Sequence, residues 1–119
     1  MIAETVKNIL PAEIQAIAYI GELPTDVDNC IAIVETGGPH GNYFAKDRFN
    51  TPYLKIVARN QSYAKGYNII STIKELLSTY TNHQEFGMLL TGDIMYFGRD
   101  DKRRNMFQIT FKIFSQIGG

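Results

Sequence analysis

The stretch from Thr51 to Tyr80 most strongly limits how this chain can fold, because it predicts a strand that runs directly into an amphipathic helix. Residues 53–59 have the composition of a half-buried strand, and Asn60 or Ser62 can then cap a helix. Apolar side chains follow at spacings of three and four, which is the pattern of one helix face. They are Tyr63, Tyr67, Ile69, Ile70, Ile73, Leu76, Leu77 and Tyr80. We therefore predict one long helix over about residues 61–80, with an apolar face that needs a sheet to cover it.

The rest of the chain supplies candidate strands for that sheet. Cys30–Glu35 is a short apolar run, and Asn105–Ser115 alternates between apolar and polar residues, as in a strand with one solvated face. The second half of Ala12–Ile20 also favours a strand. Met88–Thr91 and Ile94–Phe97 are two short runs that form either one bent strand or a tight pair.

The N-terminal segment Ile2–Leu10 has helical spacing and is stopped or bent by Pro11. The predicted order is helix, two strands, a loop, a strand, the long helix and two more strands. This order indicates an α+β fold, in which a mainly antiparallel sheet packs against one long helix, with a short helix at the N-terminus. With 119 residues and no evident linker, we expect residues 1–119 to form a single domain.

Gly66 lies inside the predicted long helix, where glycine costs about 1 kcal/mol relative to alanine. We expect close packing against another backbone to explain it, either within the sheet or across a subunit boundary.

Charge and composition disfavour several classes of protein. Twelve basic and twelve acidic residues cancel, which argues against non-specific nucleic-acid binding as the main role. A net charge near zero also weakens the electrostatic barrier to self-association. We expect neither a membrane span nor a secretory signal. Cys30 is the only cysteine, so it can form neither an intramolecular disulfide nor a cysteine metal cluster, and an inert buried thiol is its default role.

Few residues suggest catalysis or ligand binding. His40 and His83 are the only histidines, and both lie in polar segments. The pair Asp26 and Asp28 lacks the glycine of a calcium loop. Gly37–Gly41 lacks the helix start that a phosphate loop requires after it. We therefore predict a binding or assembly protein rather than an enzyme, with no cofactor and no metal.

Two segments are candidates for a subunit or partner interface. The loop Thr36–Asn50 is long for a compact domain, and three aromatic residues within it need either the domain or a partner to cover them. These residues are Tyr43, Phe44 and Phe49.

The second segment is the charged turn that contains Arg99, Lys102, Arg103 and Arg104. It is either a solvated hairpin tip or a set of ion pairs with a partner. In the second case, we expect Arg103→Glu or Arg104→Glu to leave the monomer folded and to weaken assembly.

Three sequence blocks together carry a resemblance that covers nearly the whole chain. They are IGELPTDVDNCIAIVETGG at Ile20–Gly38, the pattern P-Y-L-x-I-x-x-R-N-x-S-Y-x-x-G-Y at Pro52–Tyr67, and FGRDDKRRNMFQITFKI at Phe97–Ile113. In these blocks the chain resembles the minor capsid proteins of tailed bacteriophages and prophages, in the group of tail terminator, or tail completion, proteins.

The resemblance implies a structural virion protein without enzyme activity or cofactor. Such proteins form a ring, usually a hexamer, on the end of the finished tail tube. The ring stops addition of tube protein and offers a surface to the head-completion or connector protein, and DNA later passes through its lumen. The expected location is therefore the head-proximal end of the tail in the virion, and the host cytoplasm during assembly.

Two alternatives remain open from the sequence. One is another component of head–tail joining or of the tail tube. The other is a small ligand-binding or enzymatic α+β domain that uses the Gly37–Gly41 loop. A nucleic-acid-binding module is the least favoured, because the charges balance.

Overall fold

A computed structural model describes residues 2–36, 53–78 and 86–115. Within these ranges the chain forms three helices and six strands. In chain order they are α1 (Ile2–Ile9), α2 (Ala12–Gln15), β1 (Ala18–Ile20), β2 (Cys30–Thr36), β3 (Tyr53–Asn60), α3 (Tyr63–Ser78), β4 (Phe86–Leu90), β5 (Met95–Arg99) and β6 (Asn105–Ser115).

The six strands form one mixed sheet. Its order is β1–β2–β3–β6, and both β4 and β5 pair with the outer side of β6. β1 runs parallel to β2, whereas every other pair is antiparallel. β4 pairs with the second half of β6 and β5 with the first half, so the two follow one another along the same edge. The two short apolar runs near the C-terminus therefore behave as one bent strand, which was one of the two predicted arrangements.

The helices cover one face of this sheet. α3 packs against β3 and β6, while α1 packs against β1 and β2. Ile70, Ile73 and Leu77 on α3 are fully buried, and burying each such side chain contributes about 1.5–3 kcal/mol. The strand side chains beneath the helices are Ala18, Ile31, Ile33, Leu54, Ile56, Ala58, Met88, Phe107, Ile109, Phe111 and Ile113.

The opposite face of the sheet carries no helix within the described part of the chain. Along β3 and β6 it presents side chains of mixed character, such as Lys55, Val57, Gln108 and Thr110, which are only half-buried. Strand alternation explains this division, because successive residues point to opposite faces. We call this side the helix-free face.

The predicted α+β class is confirmed. The described sheet is mainly antiparallel, as predicted, and it is mixed because β1 lies parallel to β2. α2 is an additional helix of one turn that the sequence did not indicate; its main-chain amides at Ile14 and Gln15 donate to the Pro11 carbonyl. The long helix begins at Tyr63, slightly later than predicted, and is described as far as Ser78; residues 79 and 80 lie outside the described residues.

The start of α3 decides between the two predicted caps. Ser62 Oγ accepts a hydrogen bond of 3.2 Å from the Lys65 amide, as an N-cap does. Asn60 Oδ1 accepts one of 2.9 Å from the Ser62 amide, which shapes the turn between β3 and α3. Ser62 is therefore the N-cap, and Asn60 orders the turn before it.

Gly66 allows α3 to approach the sheet closely. A Cβ atom at this position would lie 2.8 Å from Phe107 Cε1 and 3.1 Å from Asn60 Cβ. The prediction of close packing is right, but the neighbours are the Phe107 ring and the Asn60 side chain rather than another backbone.

We expect Gly66→Ala to lower the free energy of unfolding, although alanine favours helix by about 1 kcal/mol. Overpacking a filled core costs about 1–3 kcal/mol, and Phe107 is buried and has little room to move. Urea unfolding measures the change. Asn68→Ala, at an exposed position of the same helix, is the control and should be neutral or slightly stabilising. A clear gain in stability from Gly66→Ala would show that the ring yields at low cost.

Candidate assembly surface

The loop between β1 and β2, residues 21–29, is held by a buried arginine at the end of β3. The Arg59 guanidinium donates through Nη2 to the carbonyl oxygens of Pro24 and Val27, and lies 3.5 Å from Cys30 Sγ. Arg59 follows Ala58, which faces the helices, so its side chain lies on the helix-free face. The loop therefore crosses the helix-free face at this end of the sheet.

Arg104 holds the same loop from the start of β6. Its Nη1 donates to the Thr25 carbonyl at 3.1 Å and forms an ion pair of 3.4 Å with Asp28. Its Nε donates to Asp100 Oδ2 at 2.8 Å. Arg104 is only 4% exposed, and a buried charge is tolerated where paired charges and hydrogen bonds surround it.

Gln61 completes the attachment of the loop. Its main-chain amide donates to Asn29 Oδ1 at 3.0 Å, and its Nε2 donates to Asp28 Oδ2 at 3.1 Å. Three residues from outside the loop thus bond to its carbonyl and side-chain oxygens. These contacts fix the β1–β2 loop in place at this end of the sheet.

The charged turn is a tight hairpin beside the β1–β2 loop. The Arg103 amide donates to the Asp100 carbonyl at 3.0 Å, and the Asp100 amide donates to the Arg104 carbonyl at 2.9 Å. Arg103 has a φ of 65°, which fits a turn followed by a left-handed residue in a three-residue hairpin loop. Asp100 Oδ1 also accepts hydrogen bonds from the amides of Lys102 and Arg104, both at 2.9 Å.

These contacts lower the pKa of the Asp100 carboxyl group. Partial burial opposes its ionisation, but the two main-chain amides and the Arg104 guanidinium outweigh that effect. The ionised carboxylate is therefore part of the native hairpin.

The structure separates the four basic candidates of this turn. Arg99, Lys102 and Arg103 are exposed and available to a partner. Arg104 is buried and its guanidinium bonds within the chain. The expectation that Arg104→Glu would leave the monomer folded therefore conflicts with its surroundings, because a carboxylate there would face Asp100 and Asp28.

The other three candidates, Tyr43, Phe44 and Phe49, lie outside the described residues. So do His40, His83 and the Gly37–Gly41 loop.

Exposed apolar side chains along the two edges of the sheet are a feature that the sequence reasoning missed. Leu89, Met95, Tyr96 and Phe97 are exposed at the β4–β5 edge, and Tyr19 and Ile20 at the β1 edge. A signal was present in the run Ile94–Phe97, because four successive large apolar residues cannot all point to one face of a strand.

An aromatic cluster connects the β5 edge to the helix. The Phe107 ring lies 5.2 Å from Tyr63 and 5.1 Å from Tyr96, centroid to centroid. Tyr96 also donates from its hydroxyl to Asn105 Oδ1 at 2.7 Å. Such pairs add to the apolar burial, so the β5 edge has a rigid inner side.

The described residues contain no group of three or more histidine, cysteine or acidic side chains arranged for a metal ion. Burial raises the pKa of the Cys30 thiol, although the Arg59 charge partly opposes this shift, so the thiol has low reactivity. Within the same ranges, no helix has the length and hydropathy needed to cross a membrane.

Comparison with known protein families identifies the family of this chain. A family model described as "Bacteriophage tail terminator protein" matches residues 5–117. The chain belongs to the bacteriophage tail terminator family. No curated protein matches it significantly.

Membership of the tail terminator family confirms the resemblance found in the sequence. The family is one of structural proteins rather than enzymes, and it implies a virion component that associates with other parts of the phage tail or head.

We expect Arg104→Met to lower the free energy of unfolding by about 2–3 kcal/mol, because it removes a buried charged donor that bonds two loop carbonyls and the Asp100 carboxylate. Arg103→Met is the matched control: the residue is adjacent, exposed and outside this network, so its effect should stay within about 0.5 kcal/mol. Chemical denaturation measures both. Equal effects of the two substitutions would contradict a structural role for Arg104.

The lowered pKa of Asp100 predicts a pH-dependent contribution to stability. The folded-state pKa lies below the unfolded value of about 3.9, so the contribution is present at neutral pH and is lost as the pH falls through the folded-state pKa. Wild type should therefore melt above Asp100→Asn at pH 7, and the gap should shrink below about pH 4. Asp101→Asn controls for the change in net charge. A gap that is constant between pH 3 and pH 7 would contradict the assignment.

Proposed function

We propose that this chain forms a ring on the end of the completed tail tube, where it stops the addition of tube protein and presents a docking surface to the head connector. The observation that carries this proposal is the family match across residues 5–117. The expected ring is a hexamer, as the sequence resemblance implies.

The surface of the chain supports an assembly role. Leu89, Met95 and Phe97 are each more than half exposed, and exposed apolar groups grouped along an edge are typical of interaction sites. The exposed basic residues Arg99, Lys102 and Arg103 follow Met95 and Phe97 at the end of β5 and in its hairpin. In a ring of identical subunits, each patch meets a different patch of the next subunit. Both groups are therefore proposed contacts with a subunit or partner.

The proposed partners follow from this position. They are further copies of the chain, the tail tube protein on one side and the head-completion or connector protein on the other, with DNA only passing through the lumen. The aromatic residues Tyr43, Phe44 and Phe49 remain predicted contacts for one of these partners. The protein would reside at the head-proximal end of the tail, after assembly in the host cytoplasm.

A tube-elongation assay tests the proposed function. Purified tube protein should polymerise into tubes without a length limit, and adding this chain should arrest growth and place a disc of density at one tube end in negative-stain images. Arg99→Glu combined with Arg103→Glu should leave the melting temperature near that of wild type and weaken arrest, because both side chains are exposed.

Matched lysine substitutions, Arg99→Lys with Arg103→Lys, keep the charge and serve as the control. Tubes that grow equally long with and without the wild-type chain would refute the terminator role. Polymerisation of the chain by itself would instead indicate a tube component.

A further inference from the structure

The two edge strands β1 and β5 lie at the same position along the strand direction. β1 pairs only with β2, and β5 only with β6, among the described residues. One register row runs across the sheet through Tyr19, Ala32, Val57, Gln108 and Met95. A single row thus begins on one edge strand and ends on the other, without an offset along the strands.

Strand directions at the two edges are also compatible. β1 is parallel to β2, β2 and β3 are antiparallel, β3 and β6 are antiparallel, and β6 and β5 are antiparallel. β1 and β5 therefore run in opposite directions. A second copy placed beside the first in the same orientation brings its β1 next to β5 as an antiparallel pair, which can form a regular hydrogen-bond ladder.

The backbone of β1 has groups directed outward to make such a ladder. The Ile17 carbonyl accepts from the Ile31 amide, and the Gly21 amide donates to the Ile33 carbonyl. Odd-numbered residues thus bond toward β2, so strand alternation turns the amide and carbonyl groups of Ala18 and Ile20 away from it. On β5, the register shift after Tyr96 limits regular pairing to a few residues, which suits the three-residue β1.

Side chains at the two edges complement one another in size. Tyr96 is large and partly exposed, and its row ends at the small, buried Ala18. Ile20, on the same side of β1 as Ala18, borders a recess of about 320 Å³ that Ala3 and Ile33 also line. On the helix-free face, Met95 is 54% exposed and Tyr19 is 38% exposed. An added copy would cover these apolar groups.

Charges at one end of the sheet are complementary as well. The exposed Glu13 lies on α2, immediately before β1. Arg99, Lys102 and Arg103 lie beside β5 at the same end, where β3 ends and β6 begins. A neighbouring copy therefore brings an acidic residue toward a basic hairpin, which favours this orientation over one that joins like edges.

We infer that the chain self-associates by sheet continuation, with β5 of one copy pairing with β1 of the next. The contact joins two different surfaces, so it repeats from copy to copy and closes into a ring where the rotation between copies closes. This inference rests on the proposed ring and identifies the contact that builds it.

Cysteine cross-linking tests the contact directly. In Tyr19→Cys/Met95→Cys, the Cα atoms of residue 19 in one copy and residue 95 in the next should lie about 4.4–6.8 Å apart, the separation at which a disulfide can form. Within one copy they are four strand spacings apart, about 19 Å, so an intramolecular bond is excluded. Mild oxidation, in solution and on tail tubes, should give a ladder of covalent oligomers on a non-reducing gel.

Tyr19→Cys/Leu89→Cys is the matched control. Leu89 is 58% exposed on the same face and the same edge, but it pairs with Lys112 rather than with Gln108, about 13 Å further along the strand. This variant should give no ladder. Met95→Lys should likewise raise the concentration needed for self-association in solution at least tenfold. Leu89→Lys, which lies outside the proposed β1–β5 contact, should leave that concentration nearly unchanged. Circular dichroism confirms that each variant is folded.

The outcomes separate this inference from the proposed function. A ladder with Met95→Cys and none with Leu89→Cys supports edge pairing. Arrest of tube growth and visible rings without the ladder would overturn edge pairing and leave the terminator role intact. Cross-links from position 95 to the tube protein would also overturn it, since the edge would then have another occupant. A chain that stays monomeric on tubes and does not arrest growth would overturn both.

Discussion

The close contact between α3 and β6 at Gly66 is the constraint on which the rest of the structure depends. Because residue 66 has no side chain, the Phe107 ring can lie directly beneath the helix. That ring also contacts Tyr63 and Tyr96, so one buried side chain joins the helix, the central strands and the β5 edge. An edge supported in this way is rigid enough to present exposed apolar groups without losing its shape.

The same end of the sheet also depends on polar contacts, which lie on its helix-free face. Arg59 and Arg104 reach the same loop from neighbouring strands and bond to its main-chain carbonyls. A parallel connection between β1 and β2 without a helix leaves such carbonyls needing donors, and buried guanidinium groups supply several at once. The arginines thereby fix the loop that leads into β2 and the hairpin next to β5. The proposed contact surfaces at both edges are thus attached to one framework.

The Phe107 contacts and the two buried arginines together explain how a small sheet can hold its edges in place for assembly. Edge strands normally carry devices that prevent association, such as charges, bulges or covering segments. Here β5 has a bulge and a basic hairpin, yet it also exposes Met95 and Phe97. In the proposed β5–β1 contact, that combination favours one orientation of the neighbouring copy. It agrees with a family whose members belong to an assembled virion.

Sequence alone determined the α+β class, the long helix, a cap at Asn60 or Ser62 and the family, because hydrophobic periodicity, capping chemistry and local motifs depend on nearby residues. It also indicated the close packing at Gly66, though not the ring that fills the space. Only the tertiary structure decided that Arg104 is buried while Arg103 is exposed, since the two differ by distant loop carbonyls that no local pattern reveals. The parallel placement of β1 and the shared level of the two sheet edges likewise required the fold. Strand order and register are set by non-local pairing, and for these reasons the candidate contact at Tyr19 and Met95 could not be predicted from the sequence.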